Sequence, residues 1–271
     1  MKRVLLILCA VLALFAGIAY ASAPNETGQD LFFSEWNPFY GEDPFYSEAV
    51  QAMGDGEDFG YSPEIPYRDT LEEAAADLRG RMTDRENTVV IGFRTDREWD
   101  WSDLSREIFA MAVDHTGVPT EGDSLAWAWQ SRDIRISVDV LEDVNYVTVA
   151  YHLQYYTTAE MERELDGAVE ELLCELDLWG KSDYEKIKGI YDYICDHVKY
   201  DTAHANQSSY TLKYTPYAAL IRKTAVCQGF ALLYYRLACE LDVDTRVIFG
   251  TSSRVNHVWM IVKDLLLVGL L

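Results

Sequence analysis

The sequence predicts an α+β chain in two parts: a small α/β module, then a domain in which a cysteine opens a helix and a histidine lies on the sheet that follows. Three observations carry this. Asn87 to Phe93, Asp133 to Val140 and Asn145 to Tyr155 alternate apolar and polar residues at the strand period, and the last is rich in β-branched side chains. Thr158 to Leu178, Ser182 to Val198 and the run beginning at Cys227 repeat their apolar residues at the helical period. Thr245 to Phe249 and Asn256 to Val262 read as a second pair of strands joined by the short polar turn at 251–254.

Taken in order, the chain opens with Lys2 and Arg3, an apolar run from Val4 to Ile18, and small residues at Ala19, Ala21 and Ala23. Positive charge, apolar core and small residues in that order make residues 1–23 a secretory signal peptide, with an uncleaved membrane anchor as the rival reading. The expected location is secreted or cell-surface, with no stable membrane partner beyond the leader. Residues 24–79 are acidic, aromatic and rich in Gly and Pro, and read as a linker carrying a short helix at Thr70 to Leu78.

Residues 80–178 form the α/β module, in the order strand, helix, strand, strand, helix. Its first helix, from Asp100 or Ser102 to His115, carries the stripe Leu104, Ile108, Met111 and Ala112, and Gly117, Pro119 and Gly122 break it. Its last helix has Thr157 or Thr158 as cap and Glu160, Glu162 and Glu164 in the first turns, where carboxylates favour the positive end of the helix. His115 and His152 are single histidines without a spaced partner, which points to packing or surface roles and not to metal. Trp99, Trp101, Trp127 and Trp129 form two alternating pairs, read as core packing with a carbohydrate platform as the alternative.

Composition limits the partners. The chain carries 45 acidic against 23 basic residues, a formal net charge of -22. A field of that sign argues against nucleic acid and anionic lipid. Cys174, Cys195, Cys227 and Cys239 are spaced for neither a zinc module nor a dense disulfide scaffold, and no metal or cofactor is expected. Cys227 and Cys239 on one continuous helix lie roughly 18 Å apart by helical rise, too far to bridge. Buried free thiols are favoured over a disulfide for Cys174 and Cys195.

Residues 179–271 hold the chemistry. Ser182 with Glu185 three residues on is a capping box, and Ile187, Ile190, Tyr191, Ile194 and Val198 make the buried stripe behind it. The loop from Ala203 to Tyr214 reads as exposed and mobile. Pro216 to Arg222 is a short helix, and Lys223 and Thr224 turn the chain into Cys227, with Phe230, Leu233, Leu237 and Leu241 following at helical spacing. A thiol in the first turn of a helix meets unpaired amide N–H groups and the positive dipole end, both of which favour the thiolate. Gly229, two residues on, costs helix stability and suggests close approach by another element.

The string from Lys181 to about residue 263 resembles the core of the transglutaminase-like superfamily, with its papain-related fold and its bacterial secreted cysteine peptidases. Tyr184 to Asp201 is similar to the family's helix before the active site, Tyr217 to Leu220 to its Tyr-x-Ala-Leu turn, Val226 to Ala231 to its nucleophile motif, and His257 to Trp259 to its histidine motif. The resemblance implies Cys227 as nucleophile and His257 as base. It implies a thioester intermediate resolved by water or by a primary amine. The Cys227 N–H is the expected oxyanion donor, with Tyr200 and Gln228 as further positioning residues.

The implied partner is an extracellular protein, peptide or cell-wall peptide, and a monomer is expected. The family's third residue is an Asp about fifteen positions after the His, whereas this sequence ends fourteen residues after His257. Asp264, roughly 20 Å along a strand and on its other face, is a poor substitute. The expectation is therefore a core incomplete at its C-terminal side. A catalytically inactive binding or structural protein, or an inactive truncated product, stands as the alternative.

Overall fold

A computed structural model describes residues 29–37, 60–252, 255–263 and 265–268. The leader at 1–23, much of the 24–79 stretch, most of the polar turn at 251–254 and Asp264 lie outside the described residues.

The first layer is a five-stranded sheet in the order β1 (Gln29–Trp36), β4 (Trp129–Leu141), β5 (Val144–Tyr155), β3 (Thr88–Thr95), β2 (Tyr67–Arg68). It is antiparallel except for the short β2–β3 pairing. Register decides what faces inward: Val147, Val149, Tyr151 and Leu153 on β5 stand beside Ile134, Ile136 and Val138 on β4. Against this face pack α1 (Leu71–Thr83), through Ala74, Ala75, Leu78 and Met82, and α2 (Trp101–Ala112), through Leu104, Ile108, Phe109 and Ala112. Both start at side-chain caps, Thr70 and Asp100.

Strand β1 falls inside the stretch that reads as linker. Its sequence is acidic and aromatic, but Phe33 is buried in the first core and the Glu35 carboxylate meets both Arg106 and Arg132. That buried ion pair, linking positions nearly a hundred residues apart, is what a local reading of composition misses. Arg132 is buried, at 9% exposure, and lies 3.7 Å over the Phe109 ring.

The second core forms around α7 (Cys227–Glu240). Packed on it are α4 (Ala159–Leu176), α5 (Asp183–His197), α6 (Pro216–Ile221) and the antiparallel sheet β8 (Thr245–Ser252), β9 (Val255–Val262), β10 (Leu265–Val268). The capping box of α5 is present as read, Ser182 and Glu185 each satisfying the other's backbone N–H. Helix α4 follows the first sheet in sequence, yet its stripe Leu165, Val169, Leu172 and Leu173 is buried with α5 and α7 in the second core. A stripe announces that a face is buried, not against which partner.

The two cores meet at α3 (Asp123–Ala126). Asp123 is 4% exposed and accepts two hydrogen bonds from Arg246, each 2.9 Å, and one of 2.7 Å from the Val247 amide. Beside it, Gly122 has a positive φ of 57°, and a Cβ there would stand 3.0 Å from the Tyr235 hydroxyl and 3.1 Å from the His115 backbone. His115 itself touches that hydroxyl through Nδ1 at 3.3 Å, a packing role. Trp101, Trp127 and Trp129 are core residues, while Trp99 is only partly buried. Cys174 and Cys195 are free and exposed, not buried, because each falls on the solvent side of its helix.

Candidate functional site

The site is built where two short parallel strands, β6 (Lys199–Tyr200) and β7 (Thr224–Ala225), bring the end of α5 beside the start of α7. The Asp201 amide extends the pairing to the Ala225 carbonyl at 2.9 Å, and Val226 N–H reaches the Lys213 carbonyl at 3.1 Å. The next residue is Cys227. The first intrahelical bond of α7 runs from Phe230 N–H to Val226 O at 3.2 Å, so the Cys227 amide lies in the turn whose N–H groups have no carbonyl partner within the helix. Val226 supplies no side-chain cap.

Gly229 marks the tightest approach in this region. A Cβ added there would lie 2.7 Å from Ala225 Cβ, 2.9 Å from Thr215 O and 3.0 Å from Lys213 O. The expectation of a close neighbour holds, and the neighbours are β7 and the 3-10 turn at Thr211–Tyr214 with the residue after it. α7 can seat its first turn this deeply only because position 229 has no side chain.

Two phenols lie within electrostatic reach of the thiol. Tyr200, 45% exposed, stacks on Phe230 with ring centroids 6.4 Å apart. Its pKa is raised by burial and, secondarily, by the negative charge a Cys227 thiolate would carry. Tyr214 is raised by the same two causes and by Tyr200, and its ring lies 5.9 Å from that of Tyr156. Both hydroxyls therefore stay protonated in the neutral range and remain hydrogen-bond donors. Gln228 is buried at 3% exposure directly after the thiol. The sequence singles out Tyr200 and Gln228 but not Tyr214. Its only local signal was a tyrosine just before the Thr-Pro that starts α6.

The loop from Ala203 to Tyr214, which polarity marks as exposed and mobile, is pinned from inside. Lys213 is 1% exposed and its ammonium donates to the carbonyls of His204 (2.6 Å), Gln207 (2.7 Å) and Ala205 (3.1 Å). Buried Asp201 accepts from both the backbone N–H and the Nδ1 of His204, at 3.0 and 2.9 Å. His197 is taken up locally, stacked on Tyr193 at 4.5 Å. No group of three or more His, Cys, Asp or Glu with metal-holding geometry occurs among the described residues.

His257 lies on β9, the strand packed along α7. Alternation puts Val258, Met260 and Val262 into the second core and places His257 with Trp259 and the exposed Ile261 on the other face. The His257 and Trp259 rings meet edge-on at 4.7 Å, and Gly250, the cross-strand partner of His257, would bring a Cβ to 3.0 Å from the Trp259 ring. Among the described residues no hydrogen bond joins His257 to Cys227, and none joins the ring to a carboxylate.

Residues 171–264 match the family model of the transglutaminase-like superfamily. The match covers most of the second core, though not Trp127, Leu165 and Val169, and supports a transglutaminase-like fold. A solved structure described as the crystal structure of a TGase aligns with a TM-score of 0.35 and 17% identity, over 64% of this chain and 48% of that one. The chain thus spans about half the length of the structure it matches. No curated protein matches the sequence.

Proposed function

We propose that the protein is a cysteine-dependent acyl-transfer enzyme acting on protein or peptide amide bonds. The observation that carries the reading is Cys227 at the open first turn of α7, inside the segment that matches the transglutaminase-like superfamily and within electrostatic reach of the Tyr200 and Tyr214 phenols. The Cys227 sulfur attacks the substrate carbonyl carbon, the carbonyl π electrons move onto oxygen, and the Cys227 N–H with a phenol O–H holds the oxyanion. Collapse expels the amine, which takes up the proton that left the thiol, and leaves a thioester. Water or a second primary amine then attacks the thioester and returns the thiol.

His257 is the proton carrier of this proposal, on the strength of its motif within the matched segment. Tyr200 and Gln228 position the substrate or the oxyanion. The protein acts as a monomer outside the cell, on extracellular protein, peptide or cell-wall peptide, and needs no metal or cofactor. Alkylation by iodoacetamide followed by peptide mapping tests the thiol: Cys227 should react at neutral pH well ahead of exposed Cys174 and Cys195. Equal reactivity of the three overturns the activated-thiol reading.

One observation favours a second reading. His257 stands on the sheet face opposite the second core, its ring edge-on to Trp259, a placement that favours a protein that keeps the fold and binds without turnover. Peptide binding that Cys227→Ala leaves intact, together with no acyl-enzyme mass in the unmodified protein, would decide for it.

A further inference from the structure

Outside the segment that matches the transglutaminase-like superfamily, at the end of the first sheet, lies an open groove of about 670 Å³. Its size falls in the range of small-molecule sites, about 300–1,000 Å³. The groove runs between the start of α1, the loop from β3 to α2 and the start of β5, and its walls include Trp99, Tyr146, Arg94, Arg97, Asp96 and Glu72. None of these groups has a part in the thiol chemistry.

Two features make the walls rigid. Tyr146 is held edge-on by Tyr61 at 4.9 Å and by Tyr67 at 5.0 Å, so its ring is fixed before any ligand arrives. Arg94 is locked to Asp69 by two parallel hydrogen bonds of 2.7 and 2.8 Å, which sets a planar array of donors and acceptors at the rim. The Trp99 indole packs against the first core, and its Nε1–H is buried without a hydrogen-bond partner among the described residues.

The chemistry of the lining selects the ligand class. Guanidinium and carboxylate groups are interleaved and nearly balanced, so the groove attracts neither a polyanion nor a polycation, and a net charge of -22 repels the former at a distance. Charged groups at the rim penalise a lipid or other wholly apolar ligand by desolvation. An extended peptide takes its affinity from an unpaired sheet edge, whereas the groove opens at the strand ends. Aromatic side chains bordered by carboxylates and guanidiniums suit a ring with an apolar face and a rim of hydroxyls.

We propose that this groove binds a neutral oligosaccharide, separately from the thiol site. The test titrates the full chain with three neutral hexasaccharides, of β-1,4-linked glucose, β-1,4-linked N-acetylglucosamine and α-1,4-linked glucose, read by calorimetry and tryptophan fluorescence. At least one is expected to bind. Arg97→Ala and Glu72→Gln, both at exposed positions that leave the core untouched, should each weaken it about tenfold, while Cys227→Ala leaves it unchanged. Trp99→Ala should remove the fluorescence response, and because Trp99 also packs on the core, the two surface variants decide the outcome if that protein unfolds. No binding by any of the three at about 10 mM, or binding that both surface variants leave intact, overturns the proposal.

Discussion

Replacing Gly229 with alanine asks whether the first turn of α7 is seated by the missing side chain. The added Cβ would lie 2.7 Å from Ala225 Cβ, about 0.8 Å inside the roughly 3.5 Å at which two carbons reach contact. The other two obstacles, Thr215 O at 2.9 Å and Lys213 O at 3.0 Å, are backbone atoms, and Lys213 O already accepts from Val226 N–H. Neither can turn aside as a side-chain end would. Overpacking of this kind costs about 1–3 kcal/mol, and two backbone obstacles place it in the upper half of that range. The higher helix propensity of alanine returns up to about 1 kcal/mol. The net loss is therefore about 1–2 kcal/mol, or a fall of roughly 3–6 °C in Tm for a chain of this size. The turn must also move by several tenths of an ångström away from Tyr200 and Tyr214, which should reduce turnover of a peptide substrate by about 10- to 100-fold. Thermal melts and steady-state kinetics on the same preparations check both. An alanine protein with raised Tm and full turnover would refute the reasoning, since it would show that position 229 has room to spare.

Cys227→Ala is expected to abolish both acyl-enzyme formation by mass spectrometry and turnover, with Tm nearly unchanged. Glu35→Gln should cost about 3 kcal/mol near pH 7 in urea unfolding, because Arg132 stays buried without its counter-charge. Burial pushes the Glu35 carboxyl up, but Arg132 and Arg106 outweigh it and hold the folded pKa below 4.5. The ion-pair contribution is thus complete above 4.5 and lost as pH falls through the folded value, so the two proteins should converge in stability on that acid side. Asp123→Asn should cost about 2 kcal/mol and loosen the contact between the two cores, seen as faster amide exchange in α3 and at the start of β8. Lys213→Met leaves the carbonyls of His204, Ala205 and Gln207 without their shared donor, and limited proteolysis should then cut between 202 and 212 faster than in the unchanged protein.

What the sequence made legible was local. Strand alternation over 145–155, the capping box at Ser182 and Glu185, and a cysteine opening an apolar helix are each written within a dozen residues, and each appears where periodicity put it. What it concealed was long-range. β1 is strand because Glu35 finds Arg106 and Arg132, and α4 joins the second core because its stripe meets α5 and α7; neither fact has a signature near Glu35 or Leu165. The same holds at the site. Gly229 announced a close neighbour without naming Thr215 or Lys213, and the turn that carries Tyr214 is tied to the start of α7 by one backbone hydrogen bond, from Val226 N–H to the Lys213 carbonyl. Lys213 shows a related limit: a lysine in a polar loop reads as solvent-exposed until three carbonyls are found converging on it.

Cys227 and His257 stand differently in the structure. The surroundings of Cys227 are fixed by elements on three sides, namely β7 beneath it, the Lys213–Thr215 backbone against Gly229, and Tyr200 stacked on Phe230. Displacing the thiol therefore means breaking backbone contacts. His257 is fixed by strand register alone: with Val258, Met260 and Val262 committed to the core, the ring is committed to the opposite face, against Trp259. Register is not easily slipped, because a shift by one residue would expose all three apolar side chains at once. The residues beside the ring are Gly250 and Trp259: with no side chain at 250, the indole lies across the strand pair and holds its edge-on contact with the imidazole. Gly229 and Gly250 thus play matched parts, one letting the helix of the nucleophile sink into its seat, the other letting an aromatic ring brace the histidine.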